Sequence, residues 1–146
     1  MPTLRFAPVS SLGIRPGVQA PAEIALLADF FDRYGAALTS GDVAAVAGCY
    51  ALPGMVVADS YSFTFTSPAA VALSFLGAAP AYRELRVVAA NAQFLDVRRL
   101  SEALVLVEVE WEYLDGDGQA LSGDRFHYLL RTDSGGPRIT TVVATH

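Results

Sequence analysis

The chain is 146 residues long, 53% apolar and 17% charged, which fits one domain around one packed core and excludes a wholly disordered chain. Its formal charge of −5 excludes nucleic acid as a partner, because that needs a basic surface to displace counterions from phosphates; neutral and cationic small molecules stay open. All ten basic residues are arginine, so a lysine Schiff base, pyridoxal phosphate attachment and a P-loop are excluded too.

Residues 1–20 contain Pro2, Pro8 and Pro16 and no basic start followed by an apolar run. They read as an N-terminal arm rather than a signal peptide, and residues 21–146 as a single domain. No stretch approaches the ~18 consecutive apolar residues that suggest a membrane span. The lone cysteine, Cys49, cannot form an internal disulfide and reads as a core thiol. No membrane partner is expected, and the cytoplasm is the expected location.

Pro21 suits the first turn of a helix, where its missing donor costs nothing. Ile24, Leu27, Phe31, Tyr34 and Leu38 then recur at helical spacing, so Tyr34 faces inward with the hydrophobes. Gly41 ends this helix and Asp42 caps the next. Val43, Val46, Ala47 and Tyr50 form the stripe of that second helix, with Pro53-Gly54 as its break. Residues 55–59 and 61–66 read as two short strands. Ser67-Pro68 opens a third helix running to about Leu76, with Gly77 and Pro80 after it.

The rest reads as sheet. Residues 83–99 suit one long bent strand. From 103 to 114, Val105, Val107, Val109, Trp111 and Tyr113 alternate with Glu108, Glu110 and Glu112, so the first set faces the core. Asp115-Gly116-Asp117-Gly118 is a hairpin turn, residues 119–132 the next strand, 133–136 another turn and 138–145 the last strand. Helices first and an antiparallel meander after them make an α+β fold.

The run Arg33-Tyr34-Gly35-Ala36-Ala37-Leu38-Thr39-Ser40-Gly41-Asp42 resembles the opening of ketosteroid isomerases, within the nuclear transport factor 2-like (SnoaL-like) superfamily. That resemblance covers residues from about 22 to 145. It implies a cone-shaped, curved, antiparallel (mixed) sheet wrapped around about three helices, a cystatin-like roll with a deep apolar pocket. It also implies three catalytic positions. Tyr34 matches the inward tyrosine of the first helix without gaps. Asp59 matches the general base when one residue is inserted near Pro53-Gly54. Asp124 opens the stretch Asp124-Arg125-Phe126-His127-Tyr128, which is similar to the strand carrying the second acid.

Strand parity agrees with the last match. Asp124, Phe126, Tyr128 and Leu130 share one face, and Arg125, His127 and Arg131 the other. A carboxyl group placed among aromatics is expected to keep its proton and donate a hydrogen bond. The chemistry implied by the resemblance is cofactor-free proton transfer next to a carbonyl. Asp59 would take the α-proton while Tyr34 and Asp124 steady the enolate oxygen, a division of labour for which ketosteroid isomerase is itself the worked case. Trp111, Tyr113, Phe126 and Tyr128 are the expected ligand-binding residues. Neither a metal nor an organic cofactor is expected, since two histidines and one cysteine do not make a zinc site.

Plainer roles stand beside these. Tyr34 also suits core packing, Asp59 next to Ser60 suits a turn between strands, and Asp124 after Gly123 suits a solvated rim. His127 suits a solvated face or a subunit interface. Three functions follow from these alternatives. The chain is an isomerase, cyclase or dehydratase acting on a hydrophobic carbonyl compound, a non-catalytic binder of a small apolar molecule, or a structural module whose aromatics fill the cone. Under all three, the resemblance implies a homodimer formed through the outer face of the sheet.

Overall fold

A computed structural model describes residues 21–76, 86–121 and 123–144. The expected arm, the stop at Gly77 and Pro80, and positions 83–85 of the long strand lie outside the described residues. Helix α1 (Pro21–Ser40) buries Leu27, Phe30, Phe31, Tyr34, Gly35 and Ala37. The predicted stripe is thus correct in direction but wider by Phe30, and Ile24 and Leu38 are half-buried at its edges. Gly41 takes φ +73°, and its amide and that of Asp42 donate to the Leu38 and Ala37 carbonyls at 3.4 and 3.0 Å. The Asp42 carboxylate then accepts the Ala45 amide at 3.2 Å, capping α2 (Val43–Gly48). A cap of this kind contributes about 1 kcal/mol.

Around α2 two boundaries differ from the sequence expectation. Helix α2 stops at Gly48, so Tyr50 is not on its stripe but opens strand β1 (Tyr50–Ala58). Pro53-Gly54 lies inside that strand, where the Leu52–Pro53 peptide is cis and the register with the neighbouring strand shifts between Tyr50 and Met55. The cause is a long-range pairing: the Ile139 amide donates to the Cys49 carbonyl at 2.8 Å, drawing the chain into the sheet directly after the helix. Strand β2 (Ser62–Phe65) folds back on β1, and helix α3 (Pro68–Leu76) is capped by Ser67, whose Oγ accepts the Ala70 amide at 3.2 Å.

Strand β3 (Ala89–Arg99) starts later than the expected strand over 83–99, since the described residues 86–88 precede it, and it carries a bulge between Phe94 and Asp96 where it pairs with β4 (Leu104–Leu114). On β4 the alternation holds throughout: Val105, Val107, Val109, Trp111 and Tyr113 are all buried. The Asp115 carboxylate accepts the Asp117 and Gln119 amides, both at 2.9 Å, and shapes the hairpin turn. Residues 119–132, expected as one strand, form two: β5 (Ala120–Leu121) and β6 (Arg125–Asp133). Between them Gly123 lies so close to the Trp111 carbonyl that any side chain would overlap it. β7 (Gly136–Ala144) starts two residues before the expected Arg138, on a glycine with φ +92°.

The seven described strands make one open mixed sheet in the order β2-β1-β7-β6-β4-β3, with β5 on β4. β1 and β7 run parallel, and the other described pairs are antiparallel. Helix α1 packs on β3. An ion pair between Glu23, in the first turn of α1, and Arg99, at the end of β3, holds the same contact at one end. The core lies between the helices and one face of the sheet, with Phe31, Trp111, Leu130 and Ile139 almost wholly removed from water. The α+β roll expected from the sequence is the fold observed.

Candidate functional site

The inward face of the sheet does not close completely on the helices. A cavity of about 200 Å³ remains. α1 contributes Tyr34 and Leu38, β1 contributes Tyr50 and Val56, and α3 contributes Ser74 and Phe75. From the sheet come Phe63 and Phe65 of β2, Trp111 and Tyr113 of β4, Phe126 and Tyr128 of β6, and Val142 and Ala144 of β7, with Tyr61 from the turn before β2. Period-two alternation explains the pairs from β2, β4, β6 and β7: residues two apart share a face.

Ten of these fifteen lining residues are aromatic, and among the described lining residues none carries a charge. Several of their polar atoms are hydrogen-bonded within the protein. The Tyr34 and Tyr50 hydroxyls are 2.8 Å apart in the core. Trp111 Nε1 donates to the Tyr128 hydroxyl at 2.8 Å. The Tyr113 hydroxyl donates to Asp124 Oδ2 at 3.1 Å, and the Ser74 hydroxyl donates to the Ala70 carbonyl at 3.1 Å. Around them several rings meet edge to face, as Tyr34 does with Tyr128 (6.1 Å, 82°) and Tyr50 with Phe65 (5.6 Å, 72°), an arrangement their quadrupoles favour. Tyr61 and Phe63 stack at 6.1 Å on the exposed side and form the rim.

The expected site residues fall in different places. Trp111, Tyr113, Phe126 and Tyr128 all line the cavity, as does Tyr34. Asp124 is exposed and meets the cavity through its bond to Tyr113. The main-chain bond from the Trp111 amide to the Asp124 carbonyl, at 2.8 Å, sets this position. Asp59 is exposed in the bend between β1 and β2, where the Ala58 amide donates to the Tyr61 carbonyl at 2.8 Å, and it is not among the lining residues. The structure therefore brings Tyr34 and the Tyr113–Asp124 pair to one cavity and leaves Asp59 outside it.

Sequence reasoning passes over Tyr50, Tyr61, Phe63, Phe65 and Phe75. A signal for three of them exists: Tyr61-x-Phe63-x-Phe65 is an aromatic alternation that puts all three rings on one face. Cys49 is buried away from the lining, and its thiol is pushed up from its ordinary value by burial, offset in part by the Arg33 charge. His127 sits on the opposite face of the sheet, with Nε2 3.8 Å from Glu108 Oε2, beside the Arg125–Glu110 pair at 3.4 Å. Among the described residues no group of three or more His, Cys, Asp or Glu side chains is placed to hold a metal. Nor is any described helix long and apolar enough to cross a membrane.

Residues 23–146 match a family model described as NTF2-like protein (DUF6841). Solved structures share the fold. An NTF-2 like protein of unknown function from Shewanella oneidensis superposes with a TM-score of 0.66 at 13% identity, over 85% of this chain and 99% of that one. Aln2 from a Streptomyces species gives 0.66 at 16% identity, over 88% and 93%. A ketosteroid isomerase-like protein from Erwinia carotovora atroseptica gives 0.58 at 16% identity, over 85% and 95%. No curated protein matches the chain by sequence.

Proposed function

We propose that this chain, which belongs to the NTF2-like family DUF6841, binds a small, predominantly apolar molecule in the aromatic cavity between α1, α3 and the sheet. The observation that carries this reading is the cavity's makeup: rings on nearly every side, and hydroxyls turned inward from three different elements. A core built only for packing would close on such rings, because an unfilled void forfeits their dispersion contacts. The volume of about 200 Å³ is below the roughly 300–1,000 Å³ of drug-sized sites. The ligand is accordingly a compact one, of about a single ring, entering past Tyr61 and Phe63.

Calorimetric titration with single-ring and short branched compounds tests this reading. It is paired with Ala144→Phe, which fills the cavity from β7. Binding to the wild type that the variant loses, while its circular dichroism is unchanged, supports the proposal. Equal binding to both proteins contradicts it.

A second reading is cofactor-free proton transfer next to a carbonyl. It is favoured by Tyr34 and the Tyr113–Asp124 pair meeting the same cavity. Tyr34→Phe and Asp124→Asn, assayed for isomerisation of a conjugated cyclic ketone, separate it from simple binding. Turnover that either change abolishes supports chemistry, and absence of turnover in the wild type supports binding alone.

The same proposal includes a homodimer. On the outer face of the sheet Leu106, Leu129 and Val143 are half-buried among Glu108, Arg125 and His127, an apolar centre with a charged surround of the kind interfaces use. Light scattering that returns the mass of one chain would contradict it.

A further inference from the structure

Resting on the reading that the cavity binds a ligand, we infer that this ligand is a compact organic cation, of the substituted-ammonium class. The cavity presents chiefly aromatic ring surface. Four of its donors are committed inside the protein: Trp111 Nε1 to Tyr128, the Tyr113 hydroxyl to Asp124, the Ser74 hydroxyl to the Ala70 carbonyl, and one of the two hydroxyls in the Tyr34–Tyr50 pair. A carbonyl or carboxylate ligand that drew on any of these four donors would have to break such a bond on entry.

What the lining offers instead is aromatic ring surface, which attracts a cation through the ring quadrupole. Two of the hydrogen bonds strengthen that surface. Tyr113 gives its proton toward a carboxylate and Trp111 gives its N–H toward an oxygen, and each bond pushes electron density back into the ring that donates it.

The charges point the same way. No arginine or histidine stands among the described lining residues, so an anion finds no counter-charge there. The carboxylate bonded to the lining is Asp124, held at the cavity's edge by Tyr113. The chain as a whole carries −5, which favours cations over anions in its surroundings. The stacked Tyr61 and Phe63 at the entrance, both exposed, give an approaching ammonium group its first ring contacts. A desolvated methylated ammonium loses less hydration than a primary one, so the alkylated form is the one that suits an apolar hollow.

The test uses charge isosteres. Choline and benzyltrimethylammonium are each titrated calorimetrically against the carbon analogues 3,3-dimethylbutan-1-ol and neopentylbenzene, which have the same shape without the charge. Each cation is expected to bind about tenfold tighter than its analogue. Asp124→Asn, on an exposed residue that keeps an acceptor for Tyr113, is expected to cut that preference about threefold. If the carbon analogues bind as tightly as the cations, or tighter, the cation assignment is overturned and the binding reading stands. If none of the four binds, both fall.

Discussion

The Tyr34 hydroxyl meets the Tyr50 hydroxyl at 2.8 Å in a buried position, joining the middle of α1 to the first residue of β1. Both rings line the cavity, so one contact serves packing and site together. Removing either hydroxyl takes a partner from a buried oxygen, at a cost of about 1–2 kcal/mol. Tyr34→Phe and Tyr50→Phe are each expected to lower the unfolding free energy in urea by that amount. The double variant should lose less than the sum, because the two changes remove one shared bond.

Gly35 lets α1 lie close against the sheet. A Cβ there would stand 2.9 Å from the Ala90 carbonyl and 3.0 Å from the Trp111 ring, and neither a strand carbonyl nor a buried indole can yield cheaply. Gly35→Ala is expected to cost about 1–3 kcal/mol by overpacking and to shift the emission of the only tryptophan. Gly48→Ala is the control, since nothing stands within 4 Å of that position. It should leave stability within about 1 kcal/mol of wild type, on the favourable side.

Gly123→Ala tests the join between β5 and β6. Its Cβ would overlap the Trp111 carbonyl, so the chain must withdraw, and the Trp111–Asp124 main-chain bond goes with it. Amide hydrogen exchange is expected to accelerate at Trp111 and its neighbours on β4, while α1 keeps its protection. Uniform acceleration across the molecule would instead mean that this join holds the whole fold.

Burial raises the Cys49 thiol above its ordinary 9.0. The folded state therefore holds this proton at pH values where the unfolded chain releases it. The associated stability is complete below pH 9.0 and declines as pH rises beyond it. Cys49→Ala should remove that part of the decline, seen as a shallower loss of urea midpoint with pH than in wild type. The native thiol should also resist alkylation at pH 8, reacting only as the chain opens.

Much of this architecture is legible in residue order, and the failures share a cause. The alternation from Val105 to Tyr113 fixes which side of β4 is buried, because a one-residue slip would turn five apolar groups to water. The Gly41-Asp42 turn is readable because only local geometry is involved. Tyr50 misleads because Val43, Val46, Ala47 and Tyr50 satisfy helical spacing, while the pairing that ends the helix comes from Ile139, far along the chain. The break before Asp124 is hidden likewise, since Gly123 touches Trp111 across the sheet rather than a sequence neighbour. For the cavity, Trp111, Tyr113, Phe126 and Tyr128 follow from strand parity. Phe75 and Tyr50 do not, because their place depends on how α3 and β1 close over the sheet.

The indole N–H of Trp111 is the most direct witness of the cavity, being the only one in the chain and bonded to Tyr128 inside the lining. Its proton–nitrogen NMR signal, followed during titration with the compact cations and their uncharged analogues, tests the central claim. Saturable movement in the wild type, absent in Ala144→Phe, is the predicted result. A signal that stays fixed through every titration, in a protein whose other resonances remain those of the native fold, would contradict it.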